Sequence, residues 1–288
     1  MITKIKLLLK TARIGLLTLS ISILIAITLR IFFIEIFQIP SLSMKPLLLP
    51  GDIILVSKIN YGARLLKPLK YFKHKNREYV RTLGWSAPKE GDIFVFNWPD
   101  YNNSIDSRST IFGEPLVKRF CGLPGSTVLL KGNNKKNESL WNVKSDDSQG
   151  KNDLFPYDSI INWSLSNYGP LYVPAKGQTI EMTKKNVCWY KDILLFENPD
   201  SQIKDNSFII GDKTVLHYSF QHNYYFAIGD NFYNSQDSRY WGFIPDINII
   251  GKVVMVVFSI DPNGNGLKKI RFNRFLKTFK NLSYEKII

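Results

Sequence analysis

Ser43 and Lys118 are the residues whose types and settings could make a nucleophile and a base. Ser43 lies in Ile39-Pro40-Ser41-Leu42-Ser43-Met44-Lys45-Pro46, where two prolines stiffen a short loop and favour one direction for the hydroxyl. A serine hydroxyl attacks a carbonyl only when a base takes its proton and donors receive the developing oxyanion. Lysine can be that base where burial brings its pKa from about 10.4 towards neutrality. In Pro115–Cys121 (PLVKRFC), strand alternation turns Leu116, Lys118 and Phe120 to one face. An ammonium between Leu and Phe is penalised by desolvation, which favours the neutral amine. Arg119 turns to the other face, where it can be solvated or paired. A Ser-His-Asp arrangement stays open, since His74, His217 and His222 are present in ordinary polar or aromatic surroundings. No two of these histidines have the helical spacing of a zinc hydrolase. Cys121 and Cys188 are too few for a disulfide scaffold or an all-cysteine zinc site, and both read as buried thiols. The spacing S-x-x-K recurs at Ser86/Lys89, Ser148/Lys151, Ser201/Lys204 and Ser283/Lys286, as chance gives in a Lys- and Ser-rich chain. Taken singly, a serine between prolines is a loop residue and Lys118 an edge-strand lysine. Their setting has to decide.

The elements around them read as one membrane span and a β-rich body. Lys4, Lys6, Lys10 and Arg13 precede Ile14–Leu29, an uncharged and mostly apolar run that resumes after Arg30. Counted through Phe33 it has about 20 residues, enough to cross the hydrocarbon layer. It exits into bulky residues with no small-x-small site, so it reads as an uncleaved anchor and not a signal peptide. The boundaries expected are 1–13 for a cytoplasmic N-terminus, 14–36 for the span and 37–288 for an exported body. The basic flank keeps the N-terminus inside. Short β-branched or aromatic runs at 52–58, 92–97, 115–121, 127–131 and 250–260 read as strands, several bounded by Gly, Pro and Asp turns. No long amphipathic helix is expected between anchor and tail. Polar stretches at 101–109 and 132–153 read as loops. Lys268 to Lys280 interleave six basic residues with Ile270, Phe272, Phe275, Leu276 and Phe279, either a helix resting on lipid or a solvated one. In the 288 residues, 38 Lys and Arg against 24 Asp and Glu give +14, but an exported body meets little nucleic acid, so none is expected as a partner.

The joint pattern is more specific than its parts. In order come the anchor, Pro40-Ser41-x-Ser43-Met44-x-Pro46, Gly91-Asp92-Ile93-Phe94-Val95-Phe96, Val117-Lys118-Arg119-x-x-Gly122-Leu123-Pro124-Gly125, and Ile228-Gly229-Asp230-Asn231-x-x-Asn234-Ser235-x-Asp237-Ser238-Arg239-Tyr240-Trp241-Gly242. This resembles bacterial signal peptidase I, a family of membrane-bound Ser-Lys endopeptidases that remove signal peptides from exported preproteins. The resemblance covers roughly a third of the chain, within 14–58, 91–99, 115–127 and 225–258. It implies a mostly β catalytic body carried by one N-terminal transmembrane helix, with a variable second β-region at about 130–223. It implies Ser43 as nucleophile and Lys118 as general base, with the Ser41 hydroxyl in the oxyanion hole beside the Ser43 N–H. Ser235 would orient the lysine amine. Asp237 and Arg239 match an ion pair near the site, and Gly229 and Asp230 the adjacent turn. Phe232 and Tyr233 stand where the family commonly has charged residues. Small residues are implied before the cut, with Ile39, Pro40, Met44, Leu48, Leu116 and Val117 as pocket walls. The implied location is the bacterial inner membrane, single-pass, with the body on the outer side. Preproteins and the lipid bilayer are the partners, and neither metal nor organic cofactor is needed. Two rivals differ in class: a cytosolic self-cleaving Ser-Lys repressor, which the anchor argues against, and an inactive anchored binding or assembly module. The joint presence of Ser43, Lys118 and Ser235 argues against the second.

Overall fold

The structure is a computed structural model and describes residues 2–66, 79–99, 114–131, 154–157 and 161–279. The loops expected at 101–109 and 132–153, and His74, lie outside the described residues.

Helix α1 runs Ile2–Phe32, and its 24-residue stretch Leu9–Phe32 is apolar, long enough to cross a membrane and covered by nothing in the body. Four of its hydroxyls are satisfied within the helix. Thr18, Ser20, Ser22 and Thr28 each donate to a carbonyl three or four residues back, so these four present no bare polar hydrogen to lipid. The helix stops at Phe32, short of the expected boundary at residue 36. Ile34–Gln38 forms strand β1 instead, because its backbone finds partners on β2 (Asp52–Ser57) in the register Ile34 to Ser57 and Gln38 to Ile53. Lys58 fastens the junction. Its N–H donates to the Phe33 carbonyl and its Nζ to the Arg30 carbonyl, both at 2.8 Å, and Nζ lies 2.8 Å from Glu35.

The body is built on an antiparallel sheet of eight strands. After β1 and β2 come β3 (Ile93–Asn97), β4 (Pro115–Gly122), β5 (Tyr224–Ile228), β6 (Ile244–Pro245), β7 (Ile249–Ser259) and β8 (Lys277–Thr278). Their order is β1-β2-β7-β3-β4-β5-β6, with β8 also on β7. The long β7 serves β2, β3 and β8 by shifting register at bulges, for instance between Val253 and Met255. Strand β3 shows how the sheet divides the core. Ile93 and Val95 pack with Ile39, Met44, Leu48, Ile54 and Val56. The alternate Phe94 and Phe96 pack with Tyr61, Phe120 and Tyr225. The strands expected from the sequence all form, within a residue or two of the expected bounds.

Residues 127–131 and 167–172 form one of several small sheets beside this body. This second region also holds helix α2 (Lys184–Glu197), where none was expected. Thr183 caps it by accepting from the Asn186 N–H, and Val187, Tyr190, Ile193 and Leu194 form its buried stripe. They join Tyr168, Phe208, Phe220 and Phe243 in a separate aromatic core. Cys121 is buried and Cys188 only half-buried, and neither is in a disulfide. The basic tail is not an α-helix. It folds as single 3-10 turns, Gly266–Lys269 and Phe272–Arg274, and then β8, because Arg274 is drawn into the body by Asp52.

Candidate active site

Ser43 sits on a tight turn between β1 and β2, closed at its base by Ile39 N–H to the Asp52 carbonyl and Gly51 N–H to the Ile39 carbonyl, each 2.8 Å. Within the turn, Lys45 N–H donates to Leu42 and Leu48 N–H to Met44. Met44 and Leu48 are buried and pin the turn into the core beneath Ser43. Gly51, at φ +88°, leaves it where a Cβ would lie 1.7 Å from the Ile260 carbonyl oxygen, so only glycine fits. Behind the turn Asp52 is fully buried. It receives Ser259 Oγ at 2.6 Å, the Leu49 N–H at 2.8 Å and the fork of Arg274, Nε at 2.8 Å and Nη2 at 2.5 Å. Burial alone would raise this carboxyl, but the Arg274, Ser259 and Leu49 bonds outweigh it and hold Asp52 below the ordinary value. Arg274 also donates to the Leu47 carbonyl and Arg271 to that of Pro50.

Lys118 reaches this turn from β4, where it pairs with Phe94 of β3. Its Nζ donates to Ser43 Oγ at 2.8 Å, and the residue is 3% exposed. Desolvation lowers the amine to about 8, against Asp237 and Asp230, which raise it, and with help from Arg239. Ser41 Oγ is 3.2 Å from Ser43 Oγ on the exposed side. The two described histidines stand elsewhere: His217 is exposed on the strand 217–219, and His222 bonds Asp246 at 3.1 Å.

The long motif of residues 228–242 wraps the same spot. Asp237 and Arg239 are both fully buried and form a fork, Nε to Oδ1 and Nη2 to Oδ2, each 2.8 Å. Asp237 also accepts the Gly229 N–H at 3.0 Å and caps the short helix Ser238–Trp241. Asp230 makes the matching fork with Arg119, two bonds of 2.6 Å, so Arg119 is paired and buried. Gly229 has no room for a side chain. A Cβ there would stand 2.1 Å from Ser235 Oγ and 2.6 Å from the Ser43 carbonyl oxygen.

The sequence reading missed Asn231. Its N–H donates to the Ser43 carbonyl at 2.9 Å and its Nδ2 to the Leu42 carbonyl at 3.1 Å, so it holds the serine turn from outside. The signal was present, for Asn231 stands inside the quoted motif. Ser235 departs from expectation: among the described residues its buried Oγ has no hydrogen-bond partner, Lys118 included. Phe232 lies under the Arg239 guanidinium, 4.1 Å from the ring centre, and so covers the ion pair with an aromatic face.

A cleft opens beside Ser43 and Lys118. Of the expected walls, Ile39, Pro40, Met44, Leu116 and Val117 line it, together with Phe37, Gln38, Val95 and Pro115. Leu48 does not: it is wholly buried in the core below the turn. Among the described residues no three His, Cys, Asp or Glu side chains gather to hold a metal ion. The arrangement joins a hydroxyl, an amine of lowered basicity and a shallow apolar cleft, which together suit acyl transfer from an extended peptide.

Comparison with known proteins points the same way. A family model described as signal peptidase, peptidase S26, matches residues 12–258. A signal peptidase I from Buchnera aphidicola subsp. Baizongia pistaciae is 33% identical over 271 residues, 88% of this chain and 79% of that protein. One from Pseudomonas aeruginosa is 32% identical over 247 residues, covering 82% and 68% of the two chains. One from Aquifex aeolicus is 29% identical over 248 residues, covering 82% and 80%.

Proposed function

The chain belongs to the signal peptidase family, peptidase S26, and on that premise we propose that Ser43 is its nucleophile and Lys118 its general base. It is a serine peptidase that removes signal peptides from preproteins, and α1 is its membrane anchor. The observation that supports the pair is the 2.8 Å bond between Lys118 Nζ and Ser43 Oγ at a buried amine.

In the reactive state the neutral Lys118 amine accepts the Ser43 proton as Oγ bonds to the scissile carbonyl carbon. The carbonyl π electrons move to oxygen. That oxyanion takes hydrogen bonds from the Ser43 N–H and the Ser41 hydroxyl. Collapse breaks the C–N bond, and the Lys118 ammonium gives its proton to the departing amine. Water then attacks the Ser43 ester as Lys118 takes its proton. Collapse of the second tetrahedral intermediate breaks the bond from Oγ to the acyl carbon, Lys118 returns the proton to Ser43 Oγ, and the signal peptide leaves as a carboxylic acid that ionises in water. Ser235 is the group to orient the amine once substrate excludes water, since its hydroxyl is buried beside Gly229 with its bonding capacity unused. Asp237 with Arg239, and Asp230 with Arg119, hold the motif around the amine. The cleft of Ile39, Pro40, Met44, Leu116 and Val117 accepts small apolar side chains before the cut.

The finer topology follows from charge. Met1–Arg13 stays cytoplasmic and the body works on the outer face of the inner membrane, because the basic flank is retained inside. A model preprotein is the decisive substrate. The full chain should cut it after small residues and the Ser43→Ala variant should not. Equal cutting by both would remove Ser43 from the mechanism.

A further inference from the structure

Residues 154–157 belong to the second region by sequence, yet they bond to the motif of residues 228–242. The Phe155 N–H donates to the Arg239 carbonyl at 2.8 Å, and the Tyr157 hydroxyl to the Tyr240 carbonyl. The Phe155 ring is buried edge-on to Phe243, with the centroids 5.4 Å apart. Gly242, at φ +86°, takes that ring so closely that a Cβ would come within 2.7 Å of it. From behind, the wholly buried Tyr168 donates its hydroxyl to the Phe155 carbonyl at 2.8 Å. Phe232 brings the same aromatic core up to the guanidinium. It packs on that core, and its carbonyl accepts Arg239 Nη2 at 2.5 Å. Arg239 is thus supported from the second region's core at its backbone and at its charged end.

What Arg239 holds in turn lies against the serine and the lysine. It forks onto Asp237, Asp237 takes the Gly229 N–H at 3.0 Å, and a Cβ on Gly229 would stand 2.6 Å from the Ser43 carbonyl oxygen. Both charges of the fork bear on Lys118: Asp237 favours its ammonium and Arg239 its amine. Asp230, itself paired with Arg119, is the further charge that favours the ammonium. We infer that Phe155 is a positioning residue for the Ser43–Lys118 pair, a wedge from the second region that fixes the Arg239–Asp237 fork behind it. Without the wedge Arg239 can withdraw from Asp237 and water can enter, and each change favours the ammonium. The placement of Phe155 stands on these contacts alone, whereas its consequence for turnover rests on Lys118 as the base.

The test follows two quantities in the full chain in detergent micelles. The Lys118 amine is titrated by NMR with isotopically labelled lysine, its signal identified by its absence from Lys118→Met. For a soluble peptide, kcat and KM are measured over the same pH range. Phe155→Ala should shift the titration and the rising limb of kcat/KM together to higher pH. It should lower kcat near neutrality roughly tenfold or more, with KM little moved. Tyr168→Phe, which keeps the ring and drops the bond to the Phe155 carbonyl, should shift both the same way by less. Phe155→Leu should recover most of the loss. Phe208→Ala controls for stability alone, since it removes a buried ring of the same core from a strand that pairs at Ile203. It should melt lower than wild type and titrate as wild type does. An unshifted Lys118 in folded Phe155→Ala, or an equal shift in Phe208→Ala, would overturn the inference. Where Phe155→Ala does not fold, Tyr168→Phe decides, and a Lys118 that titrates there as in wild type counts against the wedge. A wild-type kcat/KM that does not follow the amine would instead remove Lys118 as base, and the NMR shift still decides the part played by Phe155.

Discussion

As the proposed base, Lys118 must be neutral to take the Ser43 proton, and its neighbours pull it both ways. Burial and Arg239 favour the amine, Asp237 and Asp230 the ammonium, and the balance falls at about 8. Turnover should therefore climb with pH and level off above about 8, read as kcat/KM against pH on a soluble peptide. Lys118→Arg stays protonated at any usable pH and should be inactive. Lys118→Met should be inactive too, yet melt higher than wild type at pH 7. The sign follows from linkage: a depressed lysine pKa penalises the folded state fully below about 8, and the penalty fades as pH rises to the ordinary 10.5. The gain in melting temperature should shrink over that window, and activity in either variant with the fold intact would dismiss Lys118 as base. Ser41→Ala removes the proposed oxyanion donor, so kcat should fall about a hundredfold, roughly 3 kcal/mol, with KM nearly unmoved. A change mainly in KM would make Ser41 a pocket wall. At this scale the sequence was readable where chemistry constrains residue type. Ser43 and Lys118 needed a joint motif to stand out, and geometry then brings them within 2.8 Å. Asn231 and Leu48 were misjudged for the same reason: whether an amide braces a turn or a leucine faces a cleft depends on the path of the backbone.

Element by element, strands were legible because alternation and β-branching are local, as in β2, where Asp52, Ile54 and Val56 are buried in turn. Helix α2 was not. Its stripe of Val187, Tyr190, Ile193 and Leu194 is interrupted by Lys184, Lys185, Asn186, Lys191 and Asp192, and only the aromatic core it packs against gives the stripe a partner. The tail was misread for a related cause. Its basic residues suggested lipid, but the partner of Arg274 is a carboxylate 222 residues earlier in the chain. That contact carries a prediction. Arg274→Ala strands the Asp52 carboxylate in the core and should cost about 3–5 kcal/mol. Because the Asp52 pKa is depressed, its stabilisation is present above 3.8 and lost as pH falls through the lower folded value. The gap in melting temperature between wild type and variant should be widest near neutrality and close in acid. Since Arg274 also holds the Leu47 carbonyl, kcat should fall at temperatures where the variant is still folded. Arg274→Lys should recover part of both losses, and a variant with normal melting and normal kcat would refute the clamp.

For the whole molecule, the anchor and the body were both plain in the sequence, while the seam between them was not. A run of apolar residues does not reveal that its last members will leave the helix to pair as β1. The topology is checked on spheroplasts: added protease should digest the body, and a body protected until lysis would reverse the orientation. The seam has a consequence for what the enzyme can cut. Lys58 ties the Phe33 carbonyl, the Arg30 carbonyl and Glu35 together, so the end of α1 is joined to the body at three points. Strand β1, five residues at about 3.3 Å each, then leads from that seam to the serine turn. On the proposed topology, a body joined in this way would act as a depth gauge, holding Ser43 at one height above the lipid. It would then select a scissile bond by how far the bond emerges as well as by the side chains around it. Small residues at the wrong height would pass uncut.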